Sequence, residues 1–174
     1  MNNNLNKPLI FSSDIHLDSR GYFSEIYNKK NKNFKKIQFI QDNLSYSSRG
    51  VLRGLHYQLL YPQTKLITVI YGKIFDVAVN LKKTSKNFGK VYSFNMTSKS
   101  NNQLLIPPYF AHGFQCLSEY ALVHYKCDNY YYYEDQYGII YDDNSFNINW
   151  PLKNKIISKK DKKLPFFDKK NKYF

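Results

Sequence analysis

The chain has 174 residues, 26 Lys and Arg against 13 Asp and Glu for a net charge of +13, and 43% hydrophobic and 18% aromatic content. That length suits a single domain over 1–174 with a sizeable core, and that composition excludes disorder throughout. No apolar run reaches membrane-spanning length, and Met1-Asn2-Asn3-Asn4-Leu5-Asn6-Lys7 lacks the apolar core of a signal peptide, so a cytoplasmic protein without membrane partners is expected.

Taken in chain order, the predicted elements are short strands between turn signals. A helix is expected over 27–34, then strands over 37–41, 50–58, 65–71, 73–81, 91–96, 103–106, 113–117, 121–130 and 138–141. One helical turn is expected over 158–163, and 164–174 forms a basic tail. The four consecutive tyrosines 130–133 read as a strand end entering a loop, with alternate rings inside and outside. This spacing defines an all-β sandwich or barrel with few short helices.

Cys116 and Cys127 are too far apart for a Cys-x-x-Cys zinc motif and too few for a disulfide framework, so both are expected as reduced core thiols. The lysines fall in runs mixed with asparagine, as at 29–36 and 159–163, a pattern that solvated loops tolerate. A nucleic-acid partner is therefore not expected, although the positive field suits an anionic ligand. Arginine is confined to positions 20, 49 and 53, which favours Arg20 and Arg53 for forked recognition of phosphate or carboxylate.

The run Gly50-Val51-Leu52-Arg53-Gly54-Leu55-His56-Tyr57-Gln58 sets a cation and a titratable base three residues apart in a strand-like segment. Alternation would point Arg53 and His56 to opposite faces unless a bulge at Gly54 intervenes. A strand histidine is more often a hydrogen-bonded packing residue than a catalyst, so the pair alone decides nothing.

Further segments recur in a definite order: Asp18-Ser19-Arg20-Gly21-Tyr22-Phe23-Ser24-Glu25, Gln41-Asp42-Asn43-Leu44-Ser45, Gln63-Thr64-Lys65-Leu66, Gly72-Lys73-Ile74-Phe75-Asp76-Val77-Ala78-Val79, Ile106-Pro107-Pro108-Tyr109-Phe110-Ala111-His112-Gly113-Phe114 and Asn149-Trp150-Pro151. Together with the Arg53 and His56 run, this set resembles the dTDP-4-dehydrorhamnose 3,5-epimerase family from about residue 11 to residue 161. The resemblance implies a cupin-type jelly roll, a homodimer whose N-terminal strands reach the neighbouring site, and a dTDP-4-keto-6-deoxy sugar as substrate.

A 4-keto group acidifies the C–H bonds at C3 and C5, because loss of either proton leaves an enolate. Inversion requires a base on one face, an acid on the other and a group that stabilises the enolate oxygen. By resemblance His56 is the base, Asp161 of Ile157-Ser158-Lys159-Lys160-Asp161 its dyad partner, Tyr125 the acid and Lys65 the group near the C4 oxygen. Arg20, Phe23, Glu25, Gln41, Asn43 and Arg53 are implied in nucleotide binding, and Tyr131, His112 and Asp76 around the sugar. Without the resemblance, Asp161 is a solvated aspartate in a lysine run and Tyr125 one of 17 tyrosines.

Cupin metal sites use a His-x-His pair, whereas His56 is followed by Tyr57 and Gln58, so no metal is expected, and a proton transfer needs no nicotinamide. Asn80 and Leu44 depart from the family pattern outside the acid and base positions. Three alternatives stay open: a C3-only epimerase or one acting on a related keto sugar nucleotide, a non-catalytic sugar-nucleotide-binding cupin, and a basic nucleic-acid-binding domain.

Overall fold

A computed structural model describes residues 6–174. Its strands are β1 (Leu9–Ser12), β2 (His16–Asp18), β3 (Gly21–Phe23), β4 (Gln41–Ser48), β5 (Val51–Gln58), β6 (Lys65–Tyr71), β7 (Lys73–Asn80), β8 (Val91–Thr97), β9 (Asn102–Ile106), β10 (Phe110–Cys116), β11 (Tyr120–Cys127), β12 (Gln136–Gly138) and β13 (Ile156–Ile157). Short 3-10 turns cover Ser98–Ser100, Tyr133–Asp135 and Asp161–Lys163.

Two sheets face each other. The first has the order β1-β9-β6-β11-β4, and the second β12-β5-β10-β7-β8 with β13 added in parallel to β5. All other pairings are antiparallel, and β2 and β3 form a separate ribbon. Ile67, Val69 and Val123 from the first sheet meet Ile74, Ala78 and Phe114 from the second in the inner core. Non-consecutive neighbours within both sheets give the expected jelly-roll sandwich.

Both sheets are also covered on parts of their outer faces. Phe34 and Ile37 from the 25–40 segment pack over Leu66 and Leu105, and Phe146, Phe167, Tyr173 and Phe174 join Leu55, Val77, Val79 and Ala111. Strands buried on both faces lose the inside-outside alternation of a two-layer sandwich. That is why β6 and β7 carry nearly continuous apolar runs.

Several expected elements differ. Residues 27–34 form turns instead of a helix, because the side chains of Asn28 and Asn31 accept the N–H groups of Lys30 and Asn33 at 2.9 and 3.0 Å. Such local bonds compete with a helical ladder. The strand expected over 37–41 begins only at Gln41 and continues to Ser48, while the one expected over 138–141 ends at Gly138. β11 ends at Cys127, so Tyr130–Tyr133 all stay exposed and none enters the core. Cys116 and Cys127 are buried free thiols. Among the described residues, no helix is long and apolar enough to cross a membrane.

Candidate active site

His112 lies opposite His56 and Phe114 opposite Arg53, so three steps on β5 face two on β10. The extra residue is a bulge at Gly54, whose φ of 101° favours glycine. A Cβ there would sit 2.5 Å from the His112 carbonyl oxygen. The bulge cancels the alternation, and Arg53 and His56 both line one cavity of about 570 Å³ between the sheets.

His56 Nε2 and Asp161 Oδ1 are 2.8 Å apart, and the Asp161 side chain is 6% exposed. A carboxylate only accepts hydrogen bonds, so the pair sets the Nε2–H tautomer and leaves Nδ1 as the basic nitrogen of a cavity-lining ring. The other Asp161 oxygen accepts from the Gly54 N–H at 3.2 Å, and the Asp161 N–H donates to Ser158 Oγ at 2.9 Å. Burial alone would raise the Asp161 carboxyl, but the hydrogen bond and charge of His56, with the Gly54 and Ser158 bonds, hold it below the ordinary carboxylate value.

The sign of that shift sets a stability test. A depressed folded-state pKa contributes stability above the unfolded pKa of about 3.9 and loses it as pH falls through the folded value. Asp161→Asn is expected to be less stable than the parent at about pH 7, with the gap closing toward about pH 2 to 3. Urea unfolding of both proteins across that range checks this; a gap independent of pH contradicts the ionised pairing.

Tyr125 reaches the same cavity from β11, on the opposite sheet. Burial, aided by Cys127 and opposed by Arg53, raises its phenol above the ordinary value and keeps it protonated. Lys65, at the start of β6, makes no ion pair among the described residues. Burial lowers its ammonium pKa, which Cys127 and Asp76 partly offset. Asp76 does not line the cavity. It lies fully buried behind His112, with its two oxygens 3.0 and 2.9 Å from His112 Nε2.

The remaining polar groups are held in chains. Gln41 Nε2 donates to Asn43 Oδ1 at 2.8 Å, and Gln41 Oε1 accepts from the Tyr131 N–H at 2.8 Å. The Tyr131 hydroxyl donates to Gln136 Oε1 at 2.9 Å, an oxygen that also accepts from Lys160. Arg53 Nε donates to Ser47 Oγ at 3.0 Å and one Nη to the Tyr46 carbonyl at 2.9 Å, and its other terminal nitrogen has no partner among the described residues.

Arg20, Phe23 and Glu25 are not brought to this cavity within the chain. Arg20 and Phe23 lie at the β2–β3 ribbon, where Arg20 pairs with Asp18 at 2.6 Å and is 88% exposed. Phe23 is also exposed, at 68%. Glu25 follows the ribbon and accepts from Asn28 at 3.0 Å. Conversely, Ser45, Gln58, Gln63, Gln136 and Ser158 line the cavity although sequence reading did not select them. Alternation along Gln41–Ser48 carries the signal for Ser45, which shares a face with Gln41 and Asn43.

A jelly roll with a histidine-carboxylate dyad, a protonated phenol and a half-buried lysine around one cavity defines a cupin-type site equipped for acid-base chemistry. The family model for dTDP-4-dehydrorhamnose 3,5-epimerase matches residues 2–169. The dTDP-4-dehydrorhamnose 3,5-epimerase of Shigella flexneri is 45% identical over 157 residues, covering 88% of this chain and 87% of its own. The Legionella pneumophila epimerase, solved in complex with dTDP-4-keto-L-rhamnose, is 39% identical with a TM-score of 0.88, over 91% of this chain and 87% of that one. The Bacillus anthracis enzyme, solved with TDP and PPi bound, is 38% identical with a TM-score of 0.89, over 96% and 98%. The chain belongs to the dTDP-4-dehydrorhamnose 3,5-epimerase family.

Proposed function

We propose that this chain converts dTDP-4-dehydro-6-deoxy-D-glucose to dTDP-4-dehydro-L-rhamnose, inverting C3 and C5 for dTDP-L-rhamnose and surface polysaccharide synthesis in the cytoplasm. The observation that carries this reading is the His56–Asp161 pair facing the cavity from one sheet side while Tyr125 faces it from the other. His56 Nδ1 removes the proton beside the keto group, and Asp161 stabilises the resulting imidazolium. Tyr125 returns a proton to the opposite face of the enolate. Lys65, in a site where burial strengthens its field, stabilises the developing negative charge on the C4 oxygen. The chemistry is redox-neutral and uses protein groups alone. Incubation with dTDP-4-keto-6-deoxyglucose, NADPH and a 4-ketoreductase specific for the L-lyxo sugar should form dTDP-L-rhamnose; no product under conditions where dTDP binds contradicts the assignment.

Arg20 and Phe23, held outside the cavity, support a homodimer in which the ribbon completes the neighbouring site. The base of the ribbon is fastened by Asn101, whose Nδ2 donates to the Ser13 carbonyl at 2.9 Å and to Ser24 Oγ at 2.7 Å, so the ribbon is presented in a fixed direction. Arg20→Ala and His56→Asn are each expected to be nearly inactive as homodimers. A tagged heterodimer of the two contains one undamaged site of two and should recover about half of the parent activity. No recovery places Arg20 in its own chain's site or outside catalysis.

A further inference from the structure

We infer that Ser158 is a positioning residue of the His56–Asp161 pair, whose hydroxyl fixes the turn that carries Asp161 so that the carboxylate stays in line with the imidazole. This rests on the epimerase reading above. The Asp161 N–H donates to Ser158 Oγ at 2.9 Å, and the Ser158 hydroxyl also bonds the Asp161 carboxyl. One side chain therefore holds both the backbone and the carboxyl of the dyad residue. With the His56 ring and the Gly54 N–H, it supplies the third hydrogen bond to that carboxylate.

The turn has little else to hold it. From Ser158 to Lys163 the sequence offers no apolar side chain; Lys159, Lys160, Lys162 and Lys163 are exposed, and Asp161 alone is buried. Before the turn, β13 pairs with Val51 and Leu52 of the strand that carries Gly54 and His56. After it, Leu164 packs so closely on Gly138, the ladder partner of His56, that a Cβ there would come within 2.7 Å of a leucine methyl. The Ile140 N–H also donates to the Pro165 carbonyl at 2.9 Å. These flanks fix where the turn begins and ends. The direction of the Asp161 side chain within it is left to hydrogen bonds, and turned outward the carboxylate would meet a hydrated, lysine-rich surface that stabilises its charge without His56. Ser158 opposes that rotation from inside the turn.

Steady-state kinetics and dTDP titration of Ser158→Ala and Ser158→Thr test this. Ser158 is exposed, so alanine leaves no buried cavity and the variant should fold. It should lose about tenfold in kcat, the loss expected for one hydrogen bond to a charged group, while KM and dTDP affinity stay within about twofold. Threonine keeps the hydroxyl and should restore most of the lost kcat. In an Asp161→Asn background Ser158→Ala should cost nothing further, because the two residues act as one unit. Equal kcat in the parent and the alanine variant, with or without a lowered melting point, overturns the inference and leaves a turn cap alone. A loss that falls on KM or dTDP affinity also overturns it, by making Ser158 a ligand contact, as does a full further loss in the Asp161→Asn background. Each of these leaves the epimerase reading intact; a parent that does not turn over dTDP-4-keto-6-deoxyglucose removes both together.

Discussion

His56→Asn should lower turnover by about a thousandfold, within the range contributed by a positioned general base, and leave dTDP affinity near the parent value. Asparagine keeps a polar side chain of modest size on β5 but has no basic nitrogen comparable to Nδ1 of an imidazole whose Nε2–H is committed to Asp161. The groups assigned to the nucleotide, Gln41, Asn43 and Arg53, are fixed by Tyr131, Ser47 and the Tyr46 carbonyl, not by His56, so binding should survive. Steady-state rates and dTDP titration of the same preparation separate the two quantities. A non-catalytic binding protein has no turnover to lose, whereas a packing role for His56 would show as a lowered melting point and weakened binding together.

Tyr125→Phe should reduce inversion by about a hundredfold or more, yet spare proton exchange. With the phenol removed, His56 can still abstract a proton and return a solvent deuteron to the same face, so exchange with retention continues while delivery to the opposite face stops. The ring itself is half-buried against the inner core, and phenylalanine keeps that packing. Following deuterium incorporation and product formation in one sample gives the comparison. Equal loss of both would place Tyr125 in the abstraction step or in substrate binding, not in reprotonation.

How far the sequence foretold this structure depends on what each strand touches. β6 was legible to the residue, as Lys65–Tyr71, because Gly72 follows it and its apolar run is flanked by polar groups. The helix expected over 27–34 failed because apolar spacing is shared by a helix and by a loop that drops Phe34 and Ile37 onto an outer sheet face, and asparagine side chains decided between them. β4 was misplaced because Asp42, Leu44 and Tyr46 are exposed on an edge strand while its inward positions are polar, the reverse of the usual pattern. That reversal marks a binding wall.

For the site, residue chemistry alone favoured Arg20 and Arg53 and required a bulge at Gly54 before Arg53 and His56 could share a face, without deciding the role of His56. Nothing local distinguishes Asp161 from a solvated aspartate among lysines; its partner is 105 positions away, and only the fold of the C-terminal segment onto β5 joins them. Tyr125 is likewise defined by which sheet it faces. The ribbon residues Arg20 and Phe23 are exposed and do not line the cavity of the chain that carries them, so the fold of one chain adds nothing to what the resemblance implies for them.

The most direct test of the proposed mechanism is a proton NMR time course with dTDP-4-keto-6-deoxyglucose in D₂O, following the C3 and C5 signals separately. The dyad-and-phenol mechanism predicts enzyme-dependent loss of both signals, with the L-lyxo product trapped by a reductase. Loss at C3 alone would contradict 3,5-epimerisation and make the chain a C3 epimerase; loss at neither carbon would contradict proton abstraction by His56.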